Sequence, residues 1–201
     1  MPYVSKTDRQ AILSAALQQV ARDGIRSMSL RGIADSLGLA PNALYRYFAD
    51  RAALEAAMCA EGERQLYSVL KRAAGTKEPR LALRKMAAAY VGFARKRPHL
   101  YELMMASCKT RAEAAAVDQN VWSFVVEQVS LIAAKSCAHE AATSLWALLH
   151  GIVTLEAAQV FGEKKPVRGL DFGLDAWFGA AAATNTNSPL TRRKKRKVSV
   201  S

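Results

Sequence analysis

Apolar residues recur at helical spacing from residue 7 to residue 183 of this chain, and glycine or proline interrupts the pattern at intervals. In the first segment Ile12, Ala16 and Val20 share one helix face, and Gly24 follows as a stop signal. No stretch shows sustained alternation of apolar and polar residues, the pattern that a half-buried strand requires. Because 51% of the residues are hydrophobic, such helices can bury a substantial core. The sequence therefore predicts an all-α protein.

Charge and cysteine content narrow the classes of function. The net charge is +12, but six of the positive charges lie in one run, Arg192–Lys197, which leaves about +6 for the rest. A balance of that size is compatible with DNA as a partner without proving it. The three cysteines, Cys59, Cys108 and Cys137, are widely spaced and have no histidine at metal-ligand distance, so we expect neither a metal site nor a cofactor. We find neither a signal segment nor an apolar run of about 20 residues, and expect a cytoplasmic protein with no membrane partner.

Two short helices joined by a tight turn are predicted between Ser29 and Phe48. Ser29 is a suitable N-cap for the first helix, Gly38 ends it, and Pro41 fits the first turn of the second. This is the plan of a helix-turn-helix, whose second helix enters the major groove of DNA, although similar hairpins also serve only for packing. Further helices are predicted at about 50–75, 79–93, 98–104, 110–132, 140–161 and 170–183.

Residue identity in the hairpin favours DNA binding. The segment resembles the DNA-binding signature of TetR-family repressors at Ser29, Leu30, Arg31, Gly32, Ile33, Ala34, Leu37, Gly38, Leu39, Leu44, Tyr45, Arg46, Tyr47, Phe48, Asp50, Arg51 and Leu54. The resemblance covers residues 7–58 in the family's order and spacing, and the later helices fit the family's layout of nine helices. It implies a helix-turn-helix DNA-binding domain at 1–51 and a helical ligand-binding and dimerisation domain at 52–183. Residues 184–201 lose the periodicity and are expected to form a disordered basic tail.

The resemblance implies a ligand-responsive repressor that binds a near-palindromic operator as a dimer. Phosphate contacts are expected from Ser29, Arg31, Tyr45, Tyr47 and Arg51, and base-edge contacts from Pro41, Asn42, Ala43 and Arg46. Asparagine pairs well with adenine and arginine with guanine. Arg51 stands where the family usually has lysine, an exchange that preserves a phosphate contact with a different geometry. For each tyrosine, a ring that packs under its helix is the alternative.

The C-terminal region contains Trp146, His150 and Gly151, a Trp-x-x-x-His-Gly pattern that resembles the regulatory domain of one TetR subgroup. Trp146 and His150 share a helix face, so they either line a cavity together or form ordinary core. An apolar or aromatic small molecule is the expected effector. The candidate wall residues are Tyr90, Phe93, His99, Tyr101, Met104, Met105, Trp122, Phe124, Gln128, Trp146 and His150, with Glu102, Gln128 or His150 as the polar anchor.

The last two helices carry more apolar surface than one core needs, and the family usually dimerises through them. The candidate dimerisation residues are Leu149, Val153, Phe172, Trp177 and Phe178. Beyond them, residues 189–198 resemble a monopartite nuclear localisation signal. That run is either an appended signal for use in eukaryotic cells or a natural arm that adds phosphate affinity.

Catalysis is the rival class of function, with His99, Cys108, His139 and His150 as its candidate residues and Glu102 or Glu156 as partners. No motif groups these side chains, and no phosphate loop, carboxylate pair or nucleophilic triad is recognisable. We therefore expect a protein that is not an enzyme. The alternative to a repressor is a helical ligand-binding or partner-binding protein whose helix-turn-helix has lost its affinity for DNA.

Overall fold

A computed structural model describes residues 8–106, 121–162 and 167–186. Within these residues the protein is all-α, with no strand, which confirms the predicted fold class. No helix of this part is long and apolar enough to cross a bilayer. The α-helices are α1 (Arg9–Asp23), α2 (Leu30–Ser36), α3 (Arg51–Ala73), α4 (Pro79–Lys96), α5 (Pro98–Ala106), α6 (Val121–Val129), α7 (Ala138–Ala157) and α8 (Val167–Thr186), with 3₁₀ helices at Ile25–Ser27, Pro41–Arg46 and Lys135–Cys137.

Local capping sets the ends of the first helices. The Asp8 carboxylate accepts a hydrogen bond of 2.8 Å from the Ala11 N–H at the start of α1. Gly24 ends that helix with φ +79°, a left-handed value that favours glycine, and its N–H donates to the Val20 carbonyl. Asp50 caps α3 by accepting from the Ala53 N–H at 2.7 Å. The predicted stop at Gly24 is thus confirmed, and the Asp50 cap lies where the helix predicted at about 50–75 begins.

The second helix of the predicted hairpin differs from the prediction. It is a 3₁₀ helix that ends at Arg46, where an α-helix to about Phe48 was expected. The N–H of Ala43 donates to the Ala40 carbonyl at 2.8 Å, and the N–H of Tyr47 donates to the Leu44 carbonyl at 2.9 Å. These bonds span three residues rather than four, which is common in a short segment confined between two turns.

A single hydrophobic core joins α1, α2, the Pro41–Arg46 helix and the start of α3. Ile33 and Ala34 of α2 are buried in the same core as Leu44 and Phe48, whereas Leu37 is only partly buried. The other buried members of this core are Ile12, Leu13, Ala16, Val20, Met28, Leu54, Met58 and Leu103. Since Leu103 belongs to α5, that helix completes the core from a distant part of the chain.

The chain forms two compact units. The first comprises residues 1–66 and 94–118, and the second comprises 67–93 and 119–201, as far as these are described. Most of α3 and all of α5 therefore belong to the first unit. The functional boundary after residue 51 stays a prediction.

In the second unit α7 and α8 pack closely. A β-carbon on Gly173 of α8 would lie 2.9 Å from Leu148 Cδ1 of α7, so a glycine allows this approach without displacing the leucine. The predicted helix 140–161 begins earlier, at Ala138, and ends at Ala157. The predicted helix 170–183 runs on to Thr186, which places the first residues of the expected tail inside α8. The rest of the tail, Cys108 and the first part of the helix expected at 110–132 lie outside the described residues.

Candidate nucleic-acid interface

Residues 41–48, which we call the recognition segment, present one apolar side to the core and the remainder outward. Leu44 is 2% exposed and Phe48 is 5% exposed. Between and around them Pro41, Asn42, Tyr45, Arg46 and Tyr47 are exposed, and Ala43 is partly buried. The Tyr45 side chain is 53% exposed, so its ring does not pack under the helix. Most of the predicted DNA-contacting residues of this segment therefore lie together on an open surface.

The end of the recognition segment is covered by Arg9, which is not among the predicted DNA-contacting residues. The Arg9 guanidinium carbon lies 4.6 Å from the centroid of the Phe48 ring, a cation–π geometry. Arg9 itself is exposed at the start of α1. No local motif indicates this contact, because the two residues are far apart in sequence.

The start of α2 carries two further predicted residues. Ser29 is its N-cap, since its Oγ accepts from the Gly32 N–H at 3.2 Å. Both Ser29 and Arg31 are exposed. Within residues 8–51 all six positive charges are arginines, opposed by four aspartates. The surface is therefore only mildly basic, and its few arginines matter individually.

Arg51 differs from the other predicted DNA contacts, because its donors are directed to protein acceptors. Its Nη1 donates to the Met28 carbonyl at 3.0 Å, and its Nη2 donates to the Ile25 carbonyl at 2.9 Å. Its Nε donates to the Glu55 carboxylate at 2.7 Å, one turn further along α3. Such a set of intramolecular bonds competes with the predicted phosphate contact. The spacing of four residues between Arg51 and Glu55 was a signal for the ion pair, but nothing in the sequence pointed to the two carbonyls.

The second unit contains a row of aromatic side chains, which we call the aromatic row: His139, Trp122, Trp146 and His150. The two indoles pack edge to face with centroids 6.2 Å apart, His139 lies 6.5 Å from Trp122, and His150 lies 6.2 Å from Trp146. The Trp146 Nε1 donates to the Tyr90 hydroxyl at 2.9 Å, which fixes the ring. His139 is the member that the ligand prediction missed.

The predicted ligand-binding residues divide between the two units. Seven of them belong to the second unit, where the Phe124 and Tyr67 ring centroids lie 5.4 Å apart: Tyr90, Phe93, Trp122, Phe124, Gln128, Trp146 and His150. The remaining four, His99, Tyr101, Met104 and Met105, belong to the first unit. There Met104 lies against Gly62 of α3 and His99 lies against Gly24 at the end of α1. The aromatic row is the part of the prediction that the structure brings together.

Four of the five predicted dimerisation residues lie inside the protomer. Leu149, Val153, Trp177 and Phe178 are each at most 8% exposed. The Trp177 Nε1 donates to the Ala141 carbonyl and to the Ser144 hydroxyl, both at 3.0 Å, and the guanidinium groups of Arg80 and Arg84 cover the Phe178 ring. In the single chain these four residues are thus almost fully buried and leave little surface for a second copy.

Each of the same two helices also carries apolar residues that are exposed or partly buried, and we call these residues together the α7–α8 face. Phe172, the fifth predicted residue, is 78% exposed. Among the residues that the structure describes, no heavy atom of another part of the chain lies within 4 Å of a β-carbon placed on Gly151 or on Gly179. The face consists of Ala147, Gly151 and Leu155 on α7 and of Phe172, Ala176, Gly179 and Ala180 on α8; Gly151 is partly buried and the others are exposed. Spacings of three or four residues place each set on one side of its own helix.

Two separate parts of the chain match models of protein families. Residues 12–58 match the model described as bacterial regulatory proteins, tetR family. Residues 83–176 match the model described as tetracyclin repressor-like, C-terminal domain. That description does not mention the Trp-x-x-x-His-Gly pattern, so the predicted subgroup is not confirmed.

Individual proteins are similar to this chain over almost its whole length. An uncharacterized HTH-type transcriptional regulator, YobS of Bacillus subtilis (strain 168), is 23% identical over 92% of this chain and 98% of its own length. The structure of BioQ with its natural double-stranded DNA operator has a TM-score of 0.64 at 21% identity and covers 89% of this chain and 99% of that one. A variant TetR from Acinetobacter baumannii AYE in complex with minocycline has a TM-score of 0.66 at 18% identity and covers 87% and 96%. At these identities the two structures show a shared fold.

Replacing Ser29 by alanine tests the cap of α2. The substitution removes the oxygen that accepts from the Gly32 N–H, so we expect the free energy of unfolding to fall by about 1 kcal/mol. Chemical denaturation followed by circular dichroism measures it. Ser29→Asn retains a side-chain acceptor and should stay within a few tenths of a kcal/mol of the parent. Equal stability of the two variants would mean that the cap contributes nothing.

Proposed function

The chain belongs to the TetR family of bacterial regulatory proteins and is a transcriptional regulator with a helix-turn-helix DNA-binding domain, and from that premise we propose that it is a repressor released from its operator by a small molecule. It binds a near-palindromic operator as a homodimer. The observation that supports this most is the recognition segment, in which burial of Leu44 and Phe48 turns Asn42 and Arg46 outward. A structurally similar regulator has been crystallised with its operator, and another with minocycline.

Each exposed side chain of the interface has a role that follows from its chemistry. Asn42 and Arg46 read base edges in the major groove, where asparagine suits adenine and arginine suits guanine. Ala43 and Pro41 offer apolar contacts to thymine methyl groups. The hydroxyl and guanidinium groups of Ser29, Arg31, Tyr45 and Tyr47 contact phosphates and fix the orientation on the duplex. Few base contacts per copy make a second copy necessary for tight binding.

Substitution of Arg46 tests the operator reading. A duplex is first selected by the parent protein from a random pool, and its affinity for Arg46→Ala is then measured by fluorescence anisotropy. We expect a loss of about 1–3 kcal/mol per half-site and a relaxed preference at one base position. The matched control is Arg64→Ala, which removes an exposed arginine of α3 that pairs with Glu61.

Two outcomes would contradict the proposal. Equal affinity of Arg46→Ala and the parent would remove Arg46 from the readout. Recovery of no duplex from the pool would favour the alternative function, a helical ligand-binding or partner-binding protein whose helix-turn-helix no longer binds DNA.

The α7–α8 face is where the second copy binds. Its small residues permit close approach of helices, and Phe172 adds a large apolar surface that water otherwise covers. Two recognition segments about 34–36 Å apart then enter successive major grooves on one side of the duplex. The twofold symmetry of such a dimer makes the operator near-palindromic, and this distance sets the spacing of its half-sites.

Charge placed on the α7–α8 face tests the dimer. Phe172→Asp should convert a dimer into a monomer in sedimentation at micromolar concentration. Phe172 is exposed in the single chain, and dimerisation would bury the aspartate carboxylate that replaces its ring, which costs free energy. Leu131→Asp is the control, since Leu131 is also exposed, at 58%, but lies outside this face. A Phe172→Asp protein that sediments as a dimer would place the interface elsewhere.

The effector is an apolar or aromatic molecule that binds beside the aromatic row. Indole faces and edges stack on planar ligands, and the imidazole of His150, next to Thr154, offers a polar anchor. The ligand favours a conformation in which the two DNA-binding units are spaced too far apart for adjacent grooves. Helix α3 carries the change, because it runs without a break from residues of the first unit into residues of the second. By linkage, operator DNA weakens ligand binding by the same factor.

A further inference from the structure

One peptide group, between Met28 and Ser29, is held at both of its polar atoms by side chains from different helices. Its carbonyl accepts from Nη1 of Arg51 in α3 at 3.0 Å. Its N–H donates to Oε1 of Gln19 in α1 at 3.2 Å. We call this arrangement the 28–29 clamp. It lies directly before α2, whose N-cap is Ser29.

Arg51 fits this position through the shape of its guanidinium group. Three of its N–H donors reach three different acceptors: the carbonyls of Met28 and Ile25 and the carboxylate of Glu55. A planar fork can serve acceptors in different directions, whereas a lysine ammonium on a single flexible stem cannot hold all three at these places. The Glu55 carboxylate at 2.7 Å also offsets the charge that Arg51 would present to a phosphate.

The clamp fixes the part of the chain on which DNA contacts depend. Ser29 begins α2, and Ile33 and Ala34 of α2 share the core with Leu44 and Phe48 of the recognition segment. A rotation of the 28–29 peptide would change the direction in which α2 starts and, through this core, the direction of the recognition segment. Because protein interiors are close-packed, such a shift is transmitted rather than absorbed.

We propose that Arg51 is a positioning residue, which acts with Gln19 to orient α2 and the recognition segment, and is not a phosphate contact. This role rests on the proposed function, in which these two elements bind the operator. It differs from the contact expected at this place from the sequence. It also explains the departure from lysine, since only arginine completes the three bonds.

The test separates the effect of the positive charge of Arg51 from the effect of the shape of its guanidinium group. The full-length variants Arg51→Lys, Arg51→Gln and Gln19→Met are titrated with a duplex selected by the parent, over a range of salt concentrations, at a temperature where all remain folded. Both Arg51 variants should lose operator affinity by about tenfold, the order expected when a hydrogen bond to a charged group is removed. Gln19→Met removes a hydrogen bond between neutral groups and should lose about threefold. The slope of affinity against salt should stay that of the parent. Arg64→Lys, which keeps charge beside Glu61 on the same helix, should change neither quantity.

Two results would overturn the proposal. A phosphate contact predicts that Arg51→Lys binds like the parent and that Arg51→Gln lowers the salt slope by about 0.9 for each phosphate that the protein no longer neutralises. A purely structural role predicts that the folded variants bind with the affinity of the parent.

Amide hydrogen exchange of the free protein separates this inference from the proposed function. Arg51→Lys and Gln19→Met should speed exchange in residues 25–32, including the Ser29 amide, whereas Arg64→Lys should not. Unchanged exchange would overturn the clamp whether or not DNA binds. If the parent selects no duplex, the proposed function fails, and the exchange data alone uphold or overturn the clamp.

Discussion

The burial of Leu44 and Phe48 against Ile33 and Ala34 is the contact on which the rest of the DNA-binding unit depends. It fixes which side of the recognition segment faces the core, and thereby leaves Asn42 and Arg46 outside. A segment of six residues in a 3₁₀ helix has little stability of its own, because runs of this kind have poor hydrogen-bond geometry. Its orientation therefore comes from packing, and side-chain contacts such as that of Arg9 on Phe48 reinforce it.

The local features of this unit could be predicted from the sequence because they depend on neighbours. The cap residues Ser29 and Asp50 act on N–H groups three residues away, and the apolar spacing of α2 defines its buried face. The role of Arg51 could not be predicted in this way. Its acceptors at Ile25 and Met28 are backbone carbonyls more than twenty residues away, and carbonyls leave no trace in residue identity. Its charge alone suggested a phosphate.

The C-terminal helices show a second limit of sequence reasoning. Large apolar residues such as Leu149 and Trp177 indicate burial, but they do not say whether the burial is within one chain or between two. The α7–α8 face consists largely of alanine and glycine, whose apolar signal is weak, so only Phe172 was identified in advance. The aromatic row was predicted better, since Trp146 and His150 lie one turn apart on a single helix. The contribution of Tyr90 as the acceptor for Trp146 needed the tertiary structure.

In the proposed complex, two copies of this chain lay their recognition segments into successive major grooves. Hydroxyl-radical footprinting of the full-length protein, on a duplex that it has selected, tests this arrangement. Two protected stretches are expected on one side of the helix, about 10 base pairs apart from centre to centre. A single protected stretch, or uniform protection that does not depend on sequence, would contradict it.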